Sequence, residues 1–227
     1  MQYHQPSLPL TGNAIEEYGF RQPSLPLRRR SELFFVLKPP PLMSGEIYRA
    51  ACDHAHGRTE RQPHPASLLH VSLLLMDEFD RPPYDLIPRI KAAIGSIRAR
   101  PIRITLDGCA LFGGKRHLAL TSAARNADIH EFVRMLHGTL TRHNLQRAKL
   151  RVPSPHVTII YGYGCKDLLT VGKPYTWLAS EFALVYSHNG DTRHEQFGCW
   201  RFDASASPYS KPPIQLDLLS DQVTGAG

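Results

Sequence analysis

The sequence predicts an α+β fold of two pseudo-symmetric lobes, each an antiparallel sheet with outer helices, around a central cleft. Three observations predict it. A strand–helix–strand unit occurs twice and ends both times in the same His-x-Ser/Thr pattern. Two long segments carry apolar residues at spacings of three and four, as amphipathic helices do. The other apolar runs are short and bounded by Pro, Gly or polar residues, as strands are. With 42% hydrophobic and 21% charged residues, a chain of 227 residues has the composition of a globular protein with a real core.

The elements follow in order. Residues 1–30 carry QPSLPL twice, at 5–10 and 22–27, and close on Arg28-Arg29-Arg30. Proline removes backbone donors and fixes φ, and no apolar period recurs, so a disordered Pro-rich arm is expected here. The folded domain is expected over 31–203. Residues 33–38 (LFFVLK) form a short apolar run stopped by Pro39-Pro40-Pro41 and read as a buried strand. A helix is expected from Leu42 to about His56, and a strand over 68–75 (LLHVSLLL). Residues 84–99 place Leu86, Ile87, Ile90, Ala93, Ile94 and Ile97 on one helical face. Residues 102–106 alternate as a strand, and 115–121 supply another. A helix is expected over 127–145, with Ile129, Phe132, Val133, Leu136 and Leu140 on one face and Asn126 or Asp128 as its cap. Residues 154–161 read as a strand, and 181–187 with 196–202 as a hairpin about Asn189-Gly190. From 204 to 227 a Ser- and Pro-rich tail is expected, with Ile214, Leu216, Leu218 and Leu219 available to dock back.

The repeated unit is the informative feature. A strand, a helix and the strand holding His70 make one copy; the strand at 117–121, a helix and the strand holding His156 make the other. Phe35 to His70 spans 35 residues, and Leu120 to His156 spans 36. Side chains alternate along a strand, so His70 and Ser72 share one face, and His156 and Thr158 share one face. An imidazole beside a hydroxyl is costly to bury without partners. Brought together, two such pairs can perform acid–base chemistry on a phosphodiester: one neutral histidine takes a proton, the other, protonated, gives one to a departing oxygen. The two hydroxyls can donate to non-bridging phosphate oxygens. An excess of 27 basic over 20 acidic residues, 20 of the basic ones arginine, suits an anionic partner.

The chain resembles the 2H phosphoesterases, whose name records two H-x-S/T motifs in two lobes, and within them the LigT-like branch of RNA 2′,3′-cyclic phosphodiesterases and 2′-5′ RNA ligases. The residues that carry the resemblance are LFFVLKPPP, LLHVSLLL, SPHVTIIYG, SEFALVYSHNG and QFGCWRF, across about 33–202. The resemblance implies a bilobal fold, with His70 and His156 as the catalytic pair and Ser72 and Thr158 as phosphate-holding hydroxyls. It implies opening of a 2′,3′-cyclic phosphate to a 2′-phosphate or, in some members, 2′-5′ joining of RNA ends. The chain departs from relatives at Ser72, where threonine is common, and at Tyr161, where several carry a basic residue.

The remaining features are read as structural. His54 and His56, with Cys52 and His64 nearby, match no zinc spacing, and no metal or cofactor is expected. Cys52, Cys109, Cys165 and Cys199 are read as reduced thiols. Gly162 and Gly164 are expected to end a strand, and Gly113-Gly114 to form a hairpin turn. Arg147, Lys149 and Arg151 precede the second motif and are candidates for an RNA-binding rim, equally a solvated loop. Trp177, Trp200 and Tyr186 are expected in the core. No run of about 20 apolar residues and no secretory h-region are visible. A monomer in the cytoplasm, acting on RNA ends or a cyclic nucleotide, is the expectation.

Overall fold

The computed structural model describes residues 31–114, 116–123, 126–145, 150, 154–188 and 191–209. The Pro-rich arm, the turn at Asn189-Gly190, the trio Arg147, Lys149 and Arg151, and the tail beyond 209 lie outside them.

Nine strands and three helices are described: β1 (Ser31–Leu37), α1 (Pro41–Ala55), β2 (Val71–Phe79), α2 (Ile87–Ile94), β3 (Ile102–Leu106), β4 (Gly108–Phe112), β5 (His117–Thr121), α3 (Ala127–Arg142), β6 (His156–Ile160), β7 (Tyr175–Ala179), β8 (Glu181–His188) and β9 (Arg193–Arg201). All ladders among them are antiparallel. One lobe is the sheet β2-β1-β8-β9. The other is the sheet β4-β5-β6 with the two-stranded ladder β3-β7 beside it. The expected α+β architecture of paired lobes is the one found.

Each lobe uses the same plan, strand–helix–motif strand: β1-α1-β2 and β5-α3-β6. The two registers match residue for residue. Leu37 faces Val71 and Val36 faces Ser72, as Leu120 faces Val157 and Ala119 faces Thr158. The counterpart of Leu120 is thus Leu37, two residues on from Phe35; a shift of two keeps the same strand face. Both ladders then slip at the same place, between Phe35 and Val36 in one and between Leu118 and Ala119 in the other. The slip is a β-bulge, and it puts consecutive apolar residues, Leu73 and Leu74 or Ile159 and Ile160, on the buried side.

The main core runs through both lobes. It takes Leu33, Phe35 and Leu37 from β1, Ile90 and Ile94 from α2, and Ile129, Phe132, Val133, Leu136 and Leu140 from α3. The helical faces read from apolar spacing are therefore the buried ones. Helix α1 reaches across to β6, and α3 to β2, so each unit's helix supports the other unit's motif strand. On the opposite face of the four-stranded sheet, Phe34, Val36, Ala183 and Val185 form a second, smaller buried cluster.

Several expectations are corrected. Helix α2 is shorter than 84–99, because Pro88 occupies its first turn and Gly95 closes it. The first motif strand begins at Val71, after a 3₁₀ turn over Ala66–Leu68, so His70 stands immediately before it. Strands β4 and β7 were not expected. Gly113 and Gly114, at φ of +60° and +70°, make the β4–β5 turn as read, and Gly162 and Gly164, at +64° and +76°, follow β6. Trp177 and Tyr186 are buried, and Trp200 packs against the core. The start of the tail docks: Arg100 Nε donates to Ala206 O at 2.7 Å, and Tyr209 Oη to Arg100 O at 2.6 Å. Among the described residues the four cysteines are unpaired, and no helix is long and apolar enough to cross a membrane.

Candidate active site

The motif strands β2 and β6 touch one another without pairing, and this contact brings the predicted residues together. His70 and Ser72 from one lobe, His156 and Thr158 from the other, are all half-buried at the junction. Between them Val71 and Val157 point into the core, fully buried, which is the alternation expected of a strand with one wet face.

The two imidazoles are held alike. His70 Nδ1 lies 2.7 Å from Leu68 O, and His156 Nδ1 lies 2.8 Å from Ser154 O; each bond reaches two residues back. A carbonyl can only accept, so in both rings Nδ1 carries the proton and donates it. That fixes the tautomer and leaves Nε2 of the neutral ring as a lone-pair acceptor. Each ring also has an aromatic support. Phe112 stacks on His156 with centroids 4.3 Å apart at 15°, and Phe34 lies 5.3 Å from His70.

Burial dominates the electrostatics of His70. Burial, opposed by the Leu68 carbonyl and reinforced by the neighbouring His194, His64 and His156, pushes the His70 pKa down to about 3. The His70 ring is therefore neutral in the free protein near pH 7.

Further residues surround the pair. His194, from β9, has its ring 5.2 Å from that of His70 and 5.8 Å from Phe34. Burial, then His64, Lys38 and His188, lowers its pKa to about 4. His64 is lowered by burial as well; its ring meets Tyr161 edge-on at 5.0 Å. His117, at the start of β5, also meets the Tyr161 ring, at 5.1 Å. Its Nδ1 accepts the Gly162 N–H at 3.0 Å. The bulge explains Tyr161: with Ile159 and Ile160 both buried, the next residue returns to the face of His156 and Thr158, half exposed. Burial raises the Tyr161 phenol, and its hydrogen bond with Thr158 opposes that rise. The His64 backbone N–H donates to Ile159 O at 2.7 Å, tying the loop before the first motif to the bulge in the second. Arg61 rests its guanidinium over Gly162 and supplies positive charge there.

Sequence reasoning found the two motifs but missed His64, Phe112, His117 and His194. These four sit on four separate segments, and no local pattern joins them; Tyr161 stands out in the sequence only as a departure from relatives. His54, no metal ligand among the described residues, bonds the Tyr163 phenol at 2.8 Å.

With this geometry in place, comparison with known proteins is informative. Residues 39–191 match the family model of the 2′-5′ RNA ligase superfamily, a span that includes both motifs. Among solved structures, Escherichia coli LigT complexed with 3′-AMP superposes with a TM-score of 0.61 at 20% identity, covering 76% of this chain and 98% of LigT. The same enzyme complexed with phosphate gives 0.57 at 20% identity, covering 77% and 98%. Thermus thermophilus TT0787 gives 0.61 at 19% identity, covering 77% of this chain and all of the other (100%). At such identities these structures speak for the fold. No curated protein matches the sequence. The family match extends over 153 of the 227 residues and holds both His-x-Ser/Thr strands, so the chain belongs to the 2′-5′ RNA ligase superfamily, as its resemblance to the LigT-like 2H phosphoesterases implied.

Proposed function

We propose that the protein is a metal-independent cyclic phosphodiesterase that opens RNA 2′,3′-cyclic phosphate ends to 2′-phosphates. The observation that carries this reading is the pair of matched histidines at one junction, each with Nδ1 committed to a carbonyl and Nε2 left for proton transfer. Held neutral, His70 is the base: its Nε2 takes a proton from water as the water oxygen bonds to phosphorus. The P–O3′ bond breaks, and His156, protonated, gives its Nε2 proton to O3′. The product keeps the phosphate on O2′. Ser72 and Thr158 donate to the non-bridging oxygens, where negative charge builds in the transition state. That LigT has been crystallised with 3′-AMP and with phosphate supports a phosphate ligand for this fold.

The family's description favours a second use of the same site. If an RNA 5′-hydroxyl replaces water as the nucleophile, the same bond breaks and a 2′-5′ linkage forms.

The test is an oligonucleotide ending in a 2′,3′-cyclic phosphate, incubated with protein in EDTA. A 2′-phosphate product and a bell-shaped pH profile are expected. His70→Ala and His156→Ala each lower turnover by roughly 10²–10⁴-fold. Binding without product makes the protein an RNA-binding module on this scaffold, and strict dependence on added divalent metal refutes the mechanism.

A further inference from the structure

The face of the four-stranded sheet that carries Phe34 continues past the histidines. Phe34 and Val36 follow one another along that face of β1, with Lys38 just past its end; Ala183 and Val185 lie beside them on β8, and His194 and Gln196 on β9. Phe34 with His70 and His194 belongs to the site described above. Val36, Lys38, Ala183 and Gln196 instead line a separate groove of about 430 Å³, together with Pro39, Trp177 and Leu178. That size lies within the range of small-ligand sites.

The groove's chemistry is mixed in a particular way. Lys38 donates from Nζ to Gln196 Oε1 at 3.0 Å and makes no ion pair among the described residues. Glu181 also lines the groove, but its carboxylate accepts a hydrogen bond from the Cys199 thiol. Trp177 is only 6% exposed, and its Nε1 has no acceptor among the described residues. Leu178 is 54% exposed and offers an apolar surface to solvent. An ammonium bonded to an amide and not to the groove's one carboxylate, that amide, and an apolar wall are together the complement of one nucleotide: a phosphate, a polar edge and a flat face. Position settles which nucleotide. Val36, which lines the groove, pairs with Ser72 of the first motif, so the groove adjoins the motif hydroxyl.

We propose that this groove takes the nucleotide preceding the reacting phosphate on an RNA strand, with its backbone phosphate on Lys38 Nζ and its base against Leu178 and Pro39. The inference rests on the phosphodiesterase reading and deepens it: the substrate is a strand end, and a free cyclic mononucleotide fills only half the site.

The experiment compares kcat/KM for a 2′,3′-cyclic mononucleotide with that for a short oligonucleotide bearing the same end, in the wild type, Lys38→Gln and Leu178→Asp. The wild type favours the oligonucleotide by tenfold or more, on the order of one phosphate contact and one base packed on an apolar wall. Each variant lowers the ratio of the two kcat/KM values about tenfold. Lys38→Gln also flattens the salt dependence for the oligonucleotide by about 0.7 of a log unit per log unit of salt. Equal use of both substrates by the wild type, or a ratio that neither variant moves, overturns the proposal. If neither substrate is turned over, the phosphodiesterase reading falls. The groove is then judged by affinity for a 3′-phosphorylated oligonucleotide against the 3′-phosphorylated mononucleoside. A preference lost in Lys38→Gln supports it, and no preference overturns it.

Discussion

Acidification should destabilise this protein through histidines that fold in their neutral form. The two clearest are His70, lowered to about 3, and His194, lowered to about 4, both chiefly by burial. In the unfolded chain each titrates near 6.5, so below that pH the unfolded state takes up a proton that the native state does not. Stability is therefore lost as pH falls from about 6.5 towards 4, with the sign expected for a depressed histidine. Between pH 7 and pH 5 the penalty is about 2 kcal/mol per ring, from roughly 1.5 pH units below the unfolded value at 1.36 kcal/mol per unit. Carboxylates titrate over the same range, so the test is differential. Urea unfolding of wild type and His194→Gln at pH 7, 6 and 5 should give curves that diverge by about 2 kcal/mol, the variant losing less. Parallel curves would refute the reasoning, because they would mean that His194 protonates as readily folded as unfolded.

Other expectations follow from the same packing. Gly113→Ala forces a side chain to φ +60° and sets its Cβ 2.6 Å from the His117 ring, whereas Gly114→Ala, at φ +70°, meets nothing within 4 Å. The first should lower Tm by several degrees more than the second, and equal losses would show that the His117 ring yields freely. Phe112→Leu removes the ring stacked on His156 and should lower kcat by roughly 10- to 100-fold with a smaller change in KM, since the imidazole loses its alignment and not its partner carbonyl. Tyr161→Phe deletes the phenol that bonds Thr158 and should raise KM several-fold with Tm within about 1 °C, measured on the oligonucleotide.

How much was legible beforehand depends on how local the signal is. Helix α3 was readable because Ile129, Phe132, Val133, Leu136 and Leu140 repeat at helical spacing, and all five are fully buried. The two motif strands were readable for a comparable reason, alternation of His and hydroxyl with buried valine. Strand β4 was not, because all five of its residues are half-buried and show no alternation. Strand β7 was missed because its partner is β3, some seventy residues earlier, and nothing local in Tyr175–Ala179 announces that pairing. The site divides along the same line. His70, Ser72, His156 and Thr158 lie within two short strings, so the sequence displays them. His64, His117, His194 and Phe112 converge only after the sheets form. The shared Nδ1-to-carbonyl bonds were invisible for a further reason: each depends on the path of the backbone two residues ahead of its histidine.

The matched bulges have a consequence for how such a cleft can change. By placing two successive apolar residues inward, each bulge hands the following position back to solvent: Leu75 in one lobe and Tyr161 in the other, both 47% exposed. Neither side chain fills the interior, so exchange there costs little folding free energy. Yet each stands three residues beyond a hydroxyl of its motif, on the wet side of the strand. The duplication has thus furnished a symmetric pair of adjustable posts, where the cleft can be refitted to a different ligand while the proton-transfer apparatus and the interior stay as they are.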